Sequence, residues 1–290
     1  MPIVTLIARP GALAPTLVDS LRNAWGGGTA LWLSPDEAAE FPLEQAPGNR
    51  CEVWNELQKI GVDLVIQPEA GRRKKMLLAD MDSTMIEQEC IDELAEEAGV
   101  GAHVKEITMR AMNGELDFEG ALLERVTLLR DLPEDAIAKV LADRITLMPG
   151  GPELVATMRA HGAHAALVSG GFTAFTGYVA GLMFFYVHQA NRLMSKGVMF
   201  TVVVARHILG RAAKVTALED ICARLGISEW DVIAVGDGAN DLGMLGRAGT
   251  GVALHAKPSV AAECDVRVNH GDLTALLYIQ GYGRDEFTAP

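Results

Sequence analysis

Met76-Leu77-Leu78-Ala79-Asp80-Met81-Asp82-Ser83-Thr84 joins an apolar run to a polar one with nothing between. Met76 to Ala79 reads as a short strand buried on both faces, as in the centre of a parallel sheet. Asp80 and Asp82 stand at i and i+2, so on an extended backbone both carboxylates project to the same side. Their charges repel unless a cation or a proton lies between them. A structural alternative is an N-cap cluster opening the next helix, since Thr84 and Glu87 have capping-box spacing.

The same β-then-α grammar recurs downstream. Ala165 to Val168 is a second apolar run and leads into Ser169-Gly170-Gly171. Asp231 to Val235 is a third and leads into Gly236-Asp237-Gly238-Ala239-Asn240-Asp241. Alternation of this kind predicts a doubly wound parallel sheet of the Rossmann type, with ligands gathered beyond the carboxyl ends of the strands. Ser169-Gly170-Gly171 offers a hydroxyl and backbone N–H groups to an anion, or it is simply a glycine-rich turn. Asp237, Asn240 and Asp241 offer hard oxygen ligands of the magnesium type, or a tight Asp-Gly turn. Lys214, alone in a helical stretch, reads by itself as a solvated surface residue.

Between the first and second runs, about 87–147 is helical throughout. Helices are expected at 85–98, 102–112, 117–130 and 133–143. An insertion directly after a site-bearing strand suits a lid that excludes water. Ahead of the core, residues 1–72 read as a small α/β domain, with strands at 3–8, 30–33 and 62–66 and helices at 15–25 and 51–60. Residues 68–75 read as a linker, and 73–290 as the core with its helical cap.

The order DxDxT, Ser-Gly-Gly, Lys, GDGxND resembles the haloacid dehalogenase-like hydrolases. Within them, Asp80 to Ile86 followed by Glu89-Cys90-Ile91-Asp92-Glu93-Leu94 is similar to the phosphoserine phosphatase family. So are Met112-Asn113-Gly114-Glu115 with Phe118, Ala121, Leu122, Arg125 and Val126, and the tail His270 to Leu277. The resemblance implies hydrolysis of L-phosphoserine at the end of serine synthesis, with Mg²⁺ as cofactor. Asp80 would be the nucleophile and Asp82 the general acid and base. Mg²⁺ would be held by Asp80, the backbone carbonyl of Asp82, and Asp237. Ser169, Gly170 and Lys214 would grip the phosphoryl oxygens, with Asn240 and Asp241 orienting the site. Glu89 would take the substrate ammonium, Arg125 its carboxylate, and Met112 with Phe118 an apolar rim. A phosphatase or phosphotransferase for another small phosphorylated amine or alcohol, such as phosphohomoserine, stays open, as does an impaired variant kept for binding.

The resemblance weakens over 177–211. Acids and a glycine expected there give way to Leu182 to Val187 and Val198 to Val204, around a Lys196-Gly197 turn. Unbroken apolar residues in a hairpin are buried on both faces or prone to self-association, so this segment either pairs two copies as a homodimer or is a rebuilt hairpin with no partner. Residues 1–72, which resemble small regulatory domains that bind amino acids or pair subunits, are a second candidate dimer surface. A net charge of −13 argues against nucleic acid as partner. No stretch has the apolar length of a membrane helix, and the first residues lack a secretion-signal pattern, so a cytoplasmic location is expected. Cys51, Cys90, Cys222 and Cys264 show no metal-binding spacing and read as buried small hydrophobes.

Overall fold

The computed structural model describes residues 1–112, 115–130, 132–133, 135–196, 199–204 and 208–290. The N-terminal part holds β1 (Pro2–Ala8), α1 (Pro15–Ala24), β2 (Leu31–Ser34), β3 (Ala38–Pro42), α2 (Arg50–Lys59) and β4 (Val62–Pro68). Its strands form an antiparallel sheet in the order β2-β3-β1-β4. The two-residue period of β1 sorts its side chains. Val4, Leu6 and Ala8 pack with Val18, Leu21 and Leu57 of the two helices. Ile7 joins the large core that also contains Tyr278. β3 has no counterpart in the sequence reading, because its centre is the charged Glu40. That carboxylate is buried and ion-paired with Arg72, which offsets the cost of placing it inside.

The larger part opens with β5 (Met76–Ala79), and α3 (Cys90–Glu97), α4 (Gly101–Met112), α5 (Phe118–Leu128) and α6 (Asp135–Asp143) follow. Then come α7 (Gly151–Ala160), β6 (His164–Phe172), α8 (Thr173–Met183), β7 (Val187–Asn191), β8 (Leu193–Lys196) and β9 (Met199–Val204). The chain closes with α9 (Arg211–Leu225), β10 (Val232–Gly236), α10 (Leu242–Arg247), β11 (Thr250–Leu254), α11 (Pro258–Ala261), β12 (Val266–Val268) and α12 (Ala275–Ile279). Six strands make one parallel sheet in the order β12-β11-β10-β5-β6-β7. Alternate residues of β5 serve opposite faces. Leu77 and Ala79 pack with Leu154, Val155 and Phe175 from α7 and α8. Met76 and Leu78 pack with Leu218, Ile221 and Met244 from α9 and α10. This is the doubly wound α/β architecture that the apolar runs predict.

The helical insertion hangs on a narrow stalk. Glu87 donates its N–H to the Thr146 carbonyl at 3.0 Å, and Met148 donates to that of Met85 at 2.9 Å. Residues 82–85 form turns and the helix starts only at Cys90, with Glu89 at its N-cap, so Thr84 caps no helix and the N-cap alternative is set aside. The 68–75 segment is not a loose linker. Lys74 donates its N–H to Gln280 and its ammonium to the Trp230 carbonyl. The expected 182–204 hairpin also differs: Val187–Asn191 is the parallel edge strand, and only β8 and β9 are antiparallel. Phe184 and Tyr186 are exposed, and Arg159 lies over the Tyr186 ring. Gly197, Val198 and the side chains of 195–196 and 199–204 lie outside the described residues. Cys51 is exposed, against expectation, because it falls on the outer face of α2; the other three cysteines are buried.

Asp63 of β4 joins the two sheets. It is fully buried, and its carboxylate accepts the N–H groups of Asn269, His270 and Gly271, each at 2.9 Å. Asp63→Ala would strand those donors and is expected to cost roughly 2–4 kcal/mol. Urea unfolding checks this, through a lower midpoint at unchanged slope.

Candidate active site

Three neighbouring strands of the sheet deliver the polar groups. At the end of β5, the Asp80 N–H continues the ladder to the Val235 carbonyl at 3.0 Å, which fixes the residue against β10. One Asp80 oxygen accepts the Met81 N–H at 2.7 Å, and the other faces the Lys214 ammonium at 2.8 Å. Lys214 reaches Asp241 as well, at 2.6 Å. It is completely buried, which overturns its reading as a surface lysine. Burial alone would lower its pKa, but Asp80 and Asp241 outweigh that and hold the ammonium above its ordinary value.

Asp82 sits beside β6. Its Oδ1 accepts the N–H of Cys90, the first residue of α3, at 3.1 Å, and its Oδ2 accepts from the Ser169 hydroxyl at 3.4 Å. Gly171 donates its N–H back to the Ser169 oxygen at 2.9 Å. A Cβ at Gly171 would lie 2.6 Å from Asp82 Oδ2, so no larger residue fits there without displacing the acid. Ser83 adopts φ +54°, in the left-handed region that a side chain occupies at a cost of about 1 kcal/mol. Its hydroxyl donates to Glu89 at 2.8 Å.

β10 supplies Asp237 and the turn that follows. Thr84, buried, donates its hydroxyl to Asp237 at 3.1 Å, a contact the sequence reading did not assign. Asp241 accepts the Gly238 N–H at 3.0 Å, and a Cβ on Gly236 would collide with its carboxylate. Oxygens of Asp80, Asp237 and Asp241 lie within 4.8 Å of one another. The set is all hard oxygen, which fits a magnesium-type ion better than a soft-ligand metal. It brings Asp241 next to the expected ligands Asp80 and Asp237.

One ammonium cannot neutralise this many acids in so dry a place. Burial raises Asp80 well above the carboxylate range, and Asp241 adds to it. Burial raises Asp82 too, with the Cys90 N–H opposing. Asp237 is pushed up to about 6 by burial and by Asp241. Glu89 is pushed up to about 7 by burial and by Asp82. Excess negative charge of this kind suits a bound divalent cation.

These groups open into a cavity of about 800 Å³ under the helical insertion. Asp80, Asp82, Ser169, Gly170, Asp237 and Asn240 line its floor, and Glu89 and Arg125 line its upper wall. Arg125 is half-buried, with its Nε donating to the Ala121 carbonyl at 3.3 Å. The expected rim residues Met112 and Phe118 are described in backbone only, and Asn113 and Gly114 lie outside the described residues. Arg211 and Lys257 also border the cavity. They escaped the sequence reading because isolated exposed cations carry no pattern.

A family model described as haloacid dehalogenase-like hydrolase matches residues 77–246, more than half of the chain and all three site-bearing strand ends. The chain belongs to the haloacid dehalogenase-like hydrolases. It is 40% identical over 229 residues to a phosphoserine phosphatase of Archaeoglobus fulgidus, covering 78% of this chain and 66% of that one. It therefore spans slightly less than two thirds of that relative. A HAD family hydrolase of Salmonella enterica subsp. enterica serovar Typhi superposes with a TM-score of 0.87 at 29% identity, over 98% of this chain and 99% of that one. A phosphoserine phosphatase solved with substrate bound superposes with a TM-score of 0.67 at 40% identity, over 71% and 98%. The chain carries its polar groups at the carboxyl ends of a parallel sheet.

The raised Glu89 pKa has a sign that can be checked. The native chain keeps that proton up to about 7 while the unfolded chain releases it near 4.5. Glu89 therefore contributes stability that is complete below the unfolded value and is lost as pH rises through about 7. In chelator, thermal stability of the wild type is expected to decline across that window, and Glu89→Gln to flatten the decline. Melting curves from about pH 5 to 9 are the measurement.

Proposed function

We propose that this hydrolase converts L-phosphoserine to L-serine and phosphate through an aspartyl-phosphate on Asp80. The observation that carries the reading is the arrangement of Asp80, held by Lys214, and Asp82, held by Ser169, on the floor of a cavity walled by Glu89 and Arg125. Support also comes from the likeness to phosphoserine phosphatases, one of them solved with substrate.

In the first step an Asp80 oxygen attacks phosphorus and the bond from phosphorus to the seryl oxygen breaks. The electron pair leaves with that oxygen, which takes a proton from Asp82. Burial raises the pKa of Asp82, a direction that favours its role as proton donor. In the second step Asp82 takes a proton from water, the water oxygen bonds to phosphorus, and the Asp80–phosphorus bond breaks to release phosphate. Ser169, the Gly170 N–H and Lys214 grip the phosphoryl oxygens, and the Lys214 charge opposes the negative charge that develops there. Asp80, the Asp82 carbonyl and Asp237 would hold Mg²⁺, which would supply charge neutralisation when bound. Asp241 orients Lys214, and Asn240 borders the phosphate from the β10 side.

The cap supplies selectivity. Glu89 receives the substrate ammonium, which would draw its pKa down again, and Arg125 pairs with the carboxylate. In this reading 1–72 is a domain of its own, 73–290 is the phosphatase core with its cap at about 87–147, and the enzyme works in the cytoplasm. Pairing of two copies through 1–72 or 182–204 belongs to the same reading, and light scattering across concentration tests it.

Phosphate release from L-phosphoserine is expected to need Mg²⁺, to stop in chelator and to return when the ion is restored. Asp80→Asn should abolish turnover, and Asp82→Asn should lower it roughly 10²–10⁴-fold. Full activity in Asp80→Asn would overturn the covalent route. An inert, folded wild type would overturn the substrate.

A further inference from the structure

We infer that Asn191, outside the cavity, is a positioning residue that sets the distance between the Ser169-Gly170-Gly171 turn and the helix carrying Lys214. The inference rests on the phosphate-gripping roles proposed above. β6 and β7 pair Val168 with Gln189 and then Phe172 with Asn191. Three residues of β6 therefore face a single residue of β7, and the extra chain bulges toward the cavity. A bulge of this kind re-aims side chains but leaves backbone groups without ladder partners. Asn191 supplies one partner: its Nδ2 donates to the Gly170 carbonyl at 2.7 Å.

The other end of the same amide reaches a second element. Its Oδ1 accepts the Leu209 N–H at 2.7 Å. Leu209 precedes Gly210, the N-cap of α9, and the Gly210 carbonyl accepts the Lys214 N–H at 3.2 Å. Asn191 is 3% exposed, so neither bond is shared with solvent. A donor and an acceptor on one short planar group are what the two contacts require, and an amide offers both without charge at every pH, a carboxyl only when protonated. Through it, the hydroxyl and N–H donors from β6 and the ammonium from α9 are held in one frame.

Asn191→Asp separates positioning from mere filling. It keeps the acceptor for Leu209 but, when ionised, sets a carboxylate oxygen against the Gly170 carbonyl. Burial raises the pKa of such a group, and once protonated it donates again like the native amide. Turnover of phosphoserine by Asn191→Asp is expected to fall about 100-fold at alkaline pH, the scale of a misplaced catalytic group. Its ratio to wild type should climb toward unity as pH falls, whereas Asn191→Leu should stay low with a flat ratio. His188 on β7, Asp82 across the Ser169 hydroxyl, and Arg211 and Lys214 on α9 are the ionisable groups around it and are common to both proteins, so the ratio isolates the introduced carboxyl.

Calorimetric binding of inorganic phosphate to the full chain, with Mg²⁺ present, gives a second readout that needs no turnover. Affinity should weaken in Asn191→Asp at high pH and recover at low pH, where the neutral isostere also controls for folding. A ratio that does not move with pH, or variants within about 3-fold of wild type, would overturn the inference. Phosphate binding with this pattern in a chain inert toward phosphoserine would leave the inference standing and remove only the substrate. A wild type that binds no phosphate would remove both.

Discussion

A single buried ammonium organises this molecule's chemistry. Lys214 lies between Asp80 and Asp241 with no access to water, and an unpaired charge in that position would be prohibitively costly. The two carboxylates come from neighbouring strands, β5 and β10, and the lysine from the helix that packs beneath them. The fold can close only if those three elements meet at one point. Stability and chemistry therefore make the same demand on geometry. The residual negative charge is not removed by Lys214, and it is this surplus that suits the packed strand end to a cation.

Much of this could be read from the chain. The unbroken apolar character of Met76 to Ala79 and of Asp231 to Val235 marks strands covered on both faces, and that alone implies helices on each side. The helical spacing of Cys90, Ile91, Leu94 and Ala95 gives α3 its buried stripe. Asp80, Asp82, Ser169 and Asp237 stand at strand ends, so parallel pairing is enough to bring them together.

What escaped has physical reasons. β3 hides because its buried Glu40 is tolerated only through Arg72, thirty-two positions away, and no local pattern encodes such a partner. Lys214 is legible only through the order of the motifs, since by itself it looks like any helical lysine until its two acids are placed in space. Thr84 makes one hydrogen bond and Asn191 two, all to groups distant in sequence. Such residues differ from ordinary polar ones in burial alone, and burial of a polar side chain is not periodic.

The contact between Asp82 and the Cys90 N–H ties two properties usually treated apart. That N–H belongs to the first turn of the lid, and it stabilises the ionised acid more than the protonated one. Lid posture and proton affinity are thus thermodynamically linked, and linkage is reciprocal. A lid that swings away raises the acid's hold on its proton, and a proton on the acid loosens the lid by the same free energy. On the proposed mechanism, loss of the proton to the leaving group would strengthen that contact and favour closure of the cover over the site.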